Sequence, residues 1–225
     1  MAGGLGTRLK PLTYIIPKPL LPVGEKSVLE ITIQKLKEQG FDEVILAVSY
    51  KSDLFESYFG DGSKFKVKIT YSKEKEKLGT AGPLRLVKQK LKQPFLVMNG
   101  DILTNMDFNK LQEFHINKKA DLTLVTKMIQ LPLHYGVVEK KNDLVKTIQE
   151  KPIVESEINA GIYFLNPDVL EFIPHDKQFN MTDLIKEMIK NNKNVFAYPI
   201  REYWLDIGQM KDYEQAQEDM KRGMI

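Results

Sequence analysis

The feature that most constrains the fold is an alternation of helices and short apolar strands through the first half of the chain. Residues 27–40, SVLEITIQKLKEQG, predict a helix, because Ser27 and Glu30 form a capping-box pattern, apolar residues recur at helical spacing and Gly40 supplies a stop. The pattern continues with strands predicted at 44–49, 65–71 and 95–101 and helices at 54–59 and 80–91. Such alternation predicts right-handed crossovers and a mainly parallel sheet with helices on both faces.

The second half of the chain adds strands without intervening helices. After a predicted helix at 108–117 and a strand at 121–127, three close-spaced strand candidates predict a small antiparallel extension. These candidates are YGVVEK at 135–140, DLVKTIQEK at 143–151 and INAGIYFL at 158–165. Helices at 182–190 and 210–221 and strands at 195–200 and 203–208 then return to alternation. With 225 residues, 42% of them hydrophobic, the chain can form a single α/β domain with a sizeable core.

Charge and composition exclude several classes of protein. The 33 basic and 30 acidic residues are interspersed, so we expect no broad nucleic-acid surface. There is no apolar run of about eighteen residues and no sequence of the secretory kind at the N-terminus, so we expect neither a membrane span nor an export signal. The absence of cysteine excludes disulfides and thiolate chemistry and agrees with a cytoplasmic location.

The first residues, MAGGLGTRLKPLTYIIPKPLLPVG, have the features of a phosphate-binding loop. Gly3, Gly4 and Gly6 let several backbone N–H groups point into one concavity, which suits an anion. Arg8 can direct two donors at phosphate oxygens, and Lys18 supplies a compact charge from a proline-stiffened strip. Neither standard nucleotide fingerprint is satisfied, and the alternative is a flexible loop whose cations are solvated.

A set of motifs in a fixed order resembles the sugar-1-phosphate nucleotidylyltransferases, also called NDP-sugar pyrophosphorylases. The motifs are GGLGTRLKPLT at 3–13, PKPLLPVG at 17–24, LGTAGPL at 78–84, NGD at 99–101, YGVVE at 135–139, EKP at 150–152, NAGIY at 159–163 and WLDIG at 204–208. The resemblance covers nearly the whole chain. It implies a Rossmann-like nucleotidyltransferase fold, grouped with the A-type glycosyltransferases, in which residues 1–104 form a nucleotide-binding half and 105–225 a sugar-phosphate-binding half.

The resemblance also implies a reaction, in which an NTP and a sugar 1-phosphate give an NDP-sugar and pyrophosphate with Mg²⁺. Arg8 and Lys18 would then be catalytic and neutralise the transferring phosphates, and Asp101 and Asp206 would hold the metal. By itself, each aspartate could equally be a turn or capping residue. The nucleotide would contact Ala2, Gly3, Gly4, Gly6, Thr7, Glu74, Gly79, Thr80, Asn99 and Gly100. The sugar phosphate would contact Gly136, Glu150, Lys151, Asn159 and Gly161.

The chemistry of the residues is compatible with that reaction. A phosphate monoester has a second pKa of about 6, so the attacking group is largely dianionic at neutral pH and needs no general base. Phosphoryl-type transfer depends on positioning and charge neutralisation. A chain with no cysteine and three histidines, at positions 115, 134 and 175, is therefore no obstacle, and we expect these histidines to be structural or exposed.

The stretch KEKEKLGTAG at 73–82 carries the expectation about the base. In an extended chain Glu74 and Glu76 face one side and Lys73, Lys75 and Lys77 the other. A carboxylate can accept both N1–H and N2–H of guanine but suits uracil and thymine poorly. The stretch also resembles that of the mannose-1-phosphate guanylyltransferases, so GTP is favoured. UTP, dTTP or CTP remain alternative substrates, and the stretch could instead be a solvated loop without a role in base recognition. The sugar could be mannose, a hexosamine or a heptose.

One departure from the family concerns the first strand. Relatives place an apolar strand immediately ahead of Ala2-Gly3-Gly4, whereas this chain starts with Met1. We therefore expect that the natural polypeptide is longer at its N-terminus or that this chain is a trimmed form. Loss of the first strand would expose two sheet edges and shorten the base pocket. A homo-oligomer, an additional N-terminal domain, and a non-catalytic subunit that senses nucleotide-sugars are all left open by the sequence.

Overall fold

The computed structural model describes residues 1–4, 6–49, 51–74, 76–175 and 177–225. Its helices are α1 (Val28–Glu38), α2 (Ser52–Phe59), α3 (Gly82–Leu86), α4 (Phe108–Asn117), α5 (Met181–Lys190) and α6 (Met210–Lys221). Its strands are β1 (Pro22–Val23), β2 (Lys26–Ser27), β3 (Glu43–Val48), β4 (Lys68–Lys73), β5 (Phe95–Met98), β6 (Ile102–Thr104), β7 (Leu122–Pro132), β8 (Val137–Lys141), β9 (Leu144–Gln149), β10 (Ile153–Leu165), β11 (Val195–Ile200) and β12 (Trp204–Asp206).

The strands form a mixed sheet with helices packed against it, which confirms the predicted α/β class. Four strands are paired in the order β11-β7-β10-β5, with β11 parallel to β7 and β10 antiparallel to both neighbours. Strands β3 and β4 form a parallel pair, and β6 pairs with β12 in antiparallel fashion. The predicted antiparallel extension is the β8–β9 hairpin together with the long outer arms of β7 and β10.

Helix boundaries follow local chemistry closely. The Ser27 hydroxyl accepts a hydrogen bond from the Glu30 backbone N–H at 3.2 Å, which begins α1 where the capping pattern predicts it.

The helix predicted at 80–91 is wrong in extent, because only α3 is α-helical and a short 3-10 turn follows at Lys88–Lys90. Pro83 lacks a backbone N–H and is tolerated only in the first turn, which places the start of α3 at Gly82.

The strand predicted at 65–71 also starts later, at Lys68. The preceding residues form a 3-10 turn at Ser63–Phe65, and Lys66 has a left-handed φ of 58°. A residue in that conformation cannot extend a strand, so the ladder with β3 begins two residues further along.

Apolar side chains from the helices and strands fill the core between the layers. Phe55 and Phe59 of α2 pack with Leu46 and Val48 of β3, and all four are almost fully buried. On the other side, Phe164 of β10 packs in a second cluster with residues of α4. Each such side chain contributes about 1.5–3 kcal/mol when it leaves water, so these clusters fix the layers that position the loops.

A cleft of about 560 Å³ separates β3 from β5. Within the described residues, β3 pairs only with β4 and β5 only with β10, so the two edges that face each other across the cleft carry no strand. Met1 lies at one end of the cleft, where its ammonium donates to Met98 O at 2.8 Å and its carbonyl accepts from Gly100 N at 2.7 Å. This is the hydrogen-bond pattern of a parallel strand, and Ala2 N continues it by donating to Ala47 O at 2.8 Å.

Burial lowers the pKa of the Met1 ammonium from 8.0 to about 6, although the charges of Asp101 and Glu74 oppose the shift. The expectation that a strand precedes Met1 in the natural polypeptide stays a prediction. Among the described residues, no helix is both long enough and apolar enough to cross a membrane.

Candidate active site

The glycine loop leaves the Met1–Ala2 segment and is held at two points. The Ser49 hydroxyl donates to Gly3 O at 2.8 Å, and the Thr13 hydroxyl donates to Gly6 O at 2.8 Å. Gly6 has a left-handed φ of 60°, and a Cβ there would lie 2.8 Å from Thr13 Cγ2. A Cβ on Gly4 would have no neighbour within 4 Å. The loop is therefore anchored at both ends and open to solvent at Gly4, whereas Leu5 lies outside the described residues.

The two predicted cations follow the loop on short 3-10 turns. Arg8 lies in the turn Thr7–Leu9, which the fully buried Leu9 anchors to the core. Its guanidinium reaches Gly208, where Arg8 Nη2 would be 3.5 Å from an added Cβ. Lys18 opens the turn Lys18–Leu20, and its ammonium pairs with the carboxylate of Asp101.

The two predicted metal ligands are brought together by strand pairing. Asp101 follows β5, and Asp206 is the last residue of β12. The antiparallel register of β12 with β6 sets Asp206 opposite Ile102, and Ile207 N donates to Asp101 O at 3.0 Å. Lys18 Nζ lies 3.8 Å from Asp206 Oδ1, so one ammonium lies against two carboxylates.

The electrostatics of this cluster favour an additional cation. Burial raises the pKa of Asp206, the charge of Asp101 raises it further, and Lys18 and Arg8 oppose the shift. Asp101 Oδ1 and Asp206 Oδ1 are buried and have no hydrogen-bond partner among the described residues. Buried carboxylate oxygens without donors fit a hard divalent cation such as Mg²⁺.

The residues present would supply only part of a coordination shell. No group of three or more His, Cys, Asp or Glu that could hold a metal occurs in the part of the chain that the structure describes. Mg²⁺ usually keeps several waters and takes one or two carboxylates together with substrate phosphates. The pair Asp101 and Asp206 therefore fits a metal that shares its ligands with a bound triphosphate.

Glu74 lies beside the start of the glycine loop. A Cβ on Gly3 would be 3.0 Å from Glu74 Oε1, and Glu74 Oε2 accepts from Leu78 N at 3.2 Å. Burial is the main reason that the pKa of Glu74 is raised. Glu76 is exposed, and the predicted orientation of Lys75 falls outside the described residues. The structure thus sets one carboxylate of this stretch next to the loop.

Gly79 and Thr80 are tied to the beginning of α5. Gly79 has φ +81°, and a Cβ there would lie 2.6 Å from Phe179 O. The Thr80 hydroxyl accepts from Met181 N at 2.9 Å, and Phe179 N donates to Leu78 O at 2.8 Å. These contacts fix the backbone that follows Glu74, while the predicted nucleotide contacts of Gly79 and Thr80 stay predictions.

Asn99 and Gly100 connect the loop side of the site to β10. Asn99 N donates to Gly161 O at 3.0 Å, and Gly161, with φ +70°, has no room for a Cβ because Asn99 Nδ2 would lie 2.7 Å away. The register of β10 with β7 shifts between Asn159 and Tyr163. The Asn159 amide donates to Tyr163 OH at 2.8 Å and its oxygen accepts from Gly161 N at 3.0 Å. Asn159 is thus a bulge residue that also carries an exposed side chain.

Three further predicted sugar-phosphate residues lie at the base of the β8–β9 hairpin. A Cβ on Gly136 would be 3.1 Å from Glu150 Oε2, so these two residues adjoin. Lys151 has a left-handed φ of 45° and is exposed, as is Glu150. The roles of all three residues stay predictions.

The predicted structural or exposed character of the histidines is confirmed at position 115. His115 is buried, and its ring nitrogens lie 2.9 Å from Thr123 Oγ1 and 3.1 Å from Asn166 Oδ1. Both partners are structural groups between α4 and the sheet.

The model of the family described as Nucleotidyl transferase matches residues 1–223. The chain belongs to this family.

The names of two relatives of this chain differ in the nucleotide they specify. The chain is 40% identical to a probable mannose-1-phosphate guanylyltransferase of Oryza sativa subsp. japonica, over 95% of this chain and 61% of the relative. It is 36% identical to a UTP–glucose-1-phosphate uridylyltransferase of Synechocystis, over 96% of this chain and 61% of the relative. The chain therefore spans less than two thirds of the length of these relatives.

A solved structure extends the likeness to three dimensions. HddC from Yersinia pseudotuberculosis, complexed with GMP-PN, superposes with a TM-score of 0.77 at 30% identity, covering 97% of this chain and 96% of that chain. The Rossmann-like nucleotidyltransferase fold expected from the motifs is thereby confirmed.

Sequence reasoning missed the residues that hold the glycine loop and the β10 bulge in place. Ser49, Thr13 and Tyr163 each fix a predicted site residue through a side-chain hydrogen bond. Ser49 follows the last residue of β3, and the rule that ligands lie beyond the carboxyl ends of parallel strands would have indicated it. Thr13 and Tyr163 carry no comparable signal in the sequence.

Proposed function

We propose that this chain transfers a nucleoside monophosphate from an NTP, with GTP favoured, to a sugar 1-phosphate, giving an NDP-sugar and pyrophosphate. The observation that carries the proposal is the convergence of Arg8, Lys18, Asp101 and Asp206 beside an anchored glycine loop. Cations and carboxylates at one place suit a polyphosphate that arrives with a divalent metal. The product would supply activated sugar for glycan synthesis in the cytoplasm.

In this proposal the loop binds the triphosphate through its backbone. Ser49 and Thr13 fix the carbonyls of Gly3 and Gly6, so the backbone of these two glycines is held in position. Preorganised donors lose little entropy when the ligand binds and are worth more in a partly dry site. Arg8, Lys18 and the loop would neutralise the phosphate oxygens whose charge grows as pyrophosphate leaves.

Asp101 and Asp206 would hold Mg²⁺ together with phosphate oxygens and water. The metal, when bound, would supply positive charge to the phosphates. The strand register positions these two ligands, because Asp206 pairs with Ile102, the residue that follows Asp101. No protein base is needed, because the attacking sugar phosphate is already largely dianionic at neutral pH.

Glu74 supports the preference for GTP. Its Oε2 is used by Leu78 N, which fixes the carboxylate, while its Oε1 faces the start of the loop. A carboxylate fixed in this way can accept from guanine N1–H and N2–H. The likeness to guanylyltransferases and to HddC complexed with GMP-PN points in the same direction.

Glu150, Lys151 and Gly136 would bind the sugar phosphate from the hairpin, and Asn159 and Gly161 from the bulge in β10. The adjacency of Gly136 and Glu150 supports a joint role, because a side chain on Gly136 would meet the carboxylate.

The test is a matrix of four NTPs against several sugar 1-phosphates with Mg²⁺, read as pyrophosphate release. We expect release with GTP and mannose 1-phosphate to exceed release with UTP. Higher turnover with UTP would favour the same reaction on another base, which the likeness to the Synechocystis uridylyltransferase supports as the second candidate. No release in any pair, combined with tight binding of an NDP-sugar, would instead indicate a nucleotide-sugar-sensing subunit.

A further inference from the structure

Lys18 occupies the position between the two carboxylates that fit a metal. Its ammonium contacts Asp101 Oδ2 and lies 3.8 Å from Asp206 Oδ1, and its side chain is only 12% exposed. The cation against this carboxylate pair is therefore one of the chain's own side chains. The same ammonium is the group proposed above to neutralise phosphates.

The backbone of Lys18 is fixed, whereas its ammonium lies at the end of a flexible four-carbon stem. Pro17 and Pro19 flank it, Leu20 N donates to Pro17 O at 2.8 Å, and Leu21 N donates to Lys18 O at 3.1 Å. A lysine ammonium on a four-carbon stem can change partners by rotating about its own bonds. Movement between carboxylate and phosphate would thus require no change in the fold.

The pairing of Lys18 with the aspartates is incomplete. One ammonium faces two carboxylates, and the Oδ1 atoms of Asp101 and Asp206 are buried without hydrogen-bond partners in the described part of the chain. Arg8 lies farther away, beside Gly208. The one ammonium in contact with the pair therefore leaves two buried carboxylate oxygens without a donor, although the charge of Arg8 also acts on Asp206, and a divalent cation would match the two negative charges better.

We propose that Lys18 is a displaceable internal counter-ion. Its ammonium holds the Asp101–Asp206 pair until a metal–triphosphate binds, and then moves from the carboxylates to the phosphate oxygens. A metal alone must compete with Lys18, whereas a metal that arrives with a triphosphate offers Lys18 a new anionic partner. Metal and nucleotide therefore bind with positive coupling.

The role proposed for Lys18 rests on the nucleotidyl transfer proposed above, but its test needs no turnover. Binding of Mn²⁺ alone is followed by the electron paramagnetic resonance signal of the free ion. We expect Lys18→Met to bind Mn²⁺ about tenfold more tightly than the wild type, because the competing charge is gone. Lys18→Arg keeps the charge and should stay close to the wild type. Lys26→Met removes an exposed lysine bonded to Gln34 and serves as the matched control.

A non-hydrolysable GTP analogue then measures the coupling. We expect the analogue to raise Mn²⁺ affinity in the wild type, and to raise it by a factor about ten times smaller in Lys18→Met. Circular dichroism checks that each variant is folded, and Lys18→Gln replaces Lys18→Met if the latter is not. Nucleotide-free Mn²⁺ affinity that is unchanged or weaker in the folded variant would overturn the proposal.

A readout on the unaltered chain keeps the proposal testable in every case. The Lys18 side-chain ¹⁵N resonance should shift on adding Mg²⁺ with the GTP analogue, and less with Mg²⁺ alone. A resonance that never moves would also overturn the proposal. Absence of pyrophosphate release would refute nucleotidyl transfer without altering these binding results, so the two failures are distinguishable.

Discussion

Filling the cleft between β3 and β5 should stabilise the protein substantially. The perturbation is an extension of about five Val and Ile residues ahead of Met1, a typical strand length. Helix α1 contributes Ile33 and Leu36 to the lining and α3 contributes Leu84, so both faces of an added strand would be apolar. Met1 and Ala2 already hydrogen-bond to both neighbours in the parallel sense, so the extension should continue an existing ladder.

The magnitude has two parts. The gain of about 1.5–3 kcal/mol when each Val or Ile is buried is nearly cancelled by the loss of about 1–2 kcal/mol of backbone entropy and about 0.5–1 kcal/mol of side-chain entropy, so the net gain comes from the ladder hydrogen bonds at about 0.5–1.5 kcal/mol each. About three such bonds would contribute about 3 kcal/mol in total, which raises Tm by about 6–12 °C for a chain of this size. The extension also converts the buried Met1 ammonium into an amide.

The ammonium contributes a pH-dependent cost. Its folded pKa of about 6 lies below the unfolded value of 8.0, so the folded state binds fewer protons and stability rises with pH between these values. The gain is about 2 kcal/mol between pH 6 and pH 8 at 1.36 kcal/mol per pKa unit. Any extension, apolar or polar, should abolish that part of the pH dependence.

The assay is thermal unfolding followed by circular dichroism at pH 6, 7 and 8. A matched extension of Gly and Ser residues of the same length removes the ammonium without supplying apolar side chains. An apolar extension that melts no higher than the Gly/Ser extension would refute the idea that the cleft accepts a strand. A pH dependence that is the same with and without an extension would refute the assigned pKa.

Three further predictions concern the site. Asp101→Asn should lower turnover about 100-fold in the pyrophosphate-release assay while Tm changes by only a few degrees, and near-normal turnover would remove it from the metal site. Glu74→Gln should lower kcat/KM for GTP about tenfold with little change for UTP, and an equal loss for both would exclude base recognition. Gly6→Ala should cost about 1–2 kcal/mol in chemical denaturation because of its φ of 60° and the approach of Thr13, whereas Gly4→Ala should cost less than about 0.5 kcal/mol.

The elements that the sequence predicts well are those set by local chemistry. The bounds of α4, α6 and β11 agree with the predicted ones, because caps and apolar periodicity act over a few residues. Helix α3 is shorter than predicted, since Pro83 and the contacts of residues 78–82 with Phe179 fix where it starts. Such contacts between distant segments leave no periodic signal.

The site likewise combines features that the local sequence predicts with features that it does not. Asp101 could be predicted to lie at a ligand crevice because it closely follows an apolar strand. Its meeting with Asp206 depends on the antiparallel register of β12 with β6, and the position of Lys18 against both depends on the course of the loop. The motif order anticipated this cluster through resemblance, whereas strand registers over a hundred residues apart cannot be derived from the local sequence.

The most direct test of nucleotidyl transfer is a ³¹P NMR time course with GTP, mannose 1-phosphate and Mg²⁺. We expect pyrophosphate and a nucleoside diphosphate sugar to appear together in equal amounts as the sugar phosphate is consumed. Release of orthophosphate with the sugar phosphate unchanged, or no reaction with any of the four NTPs, would contradict it.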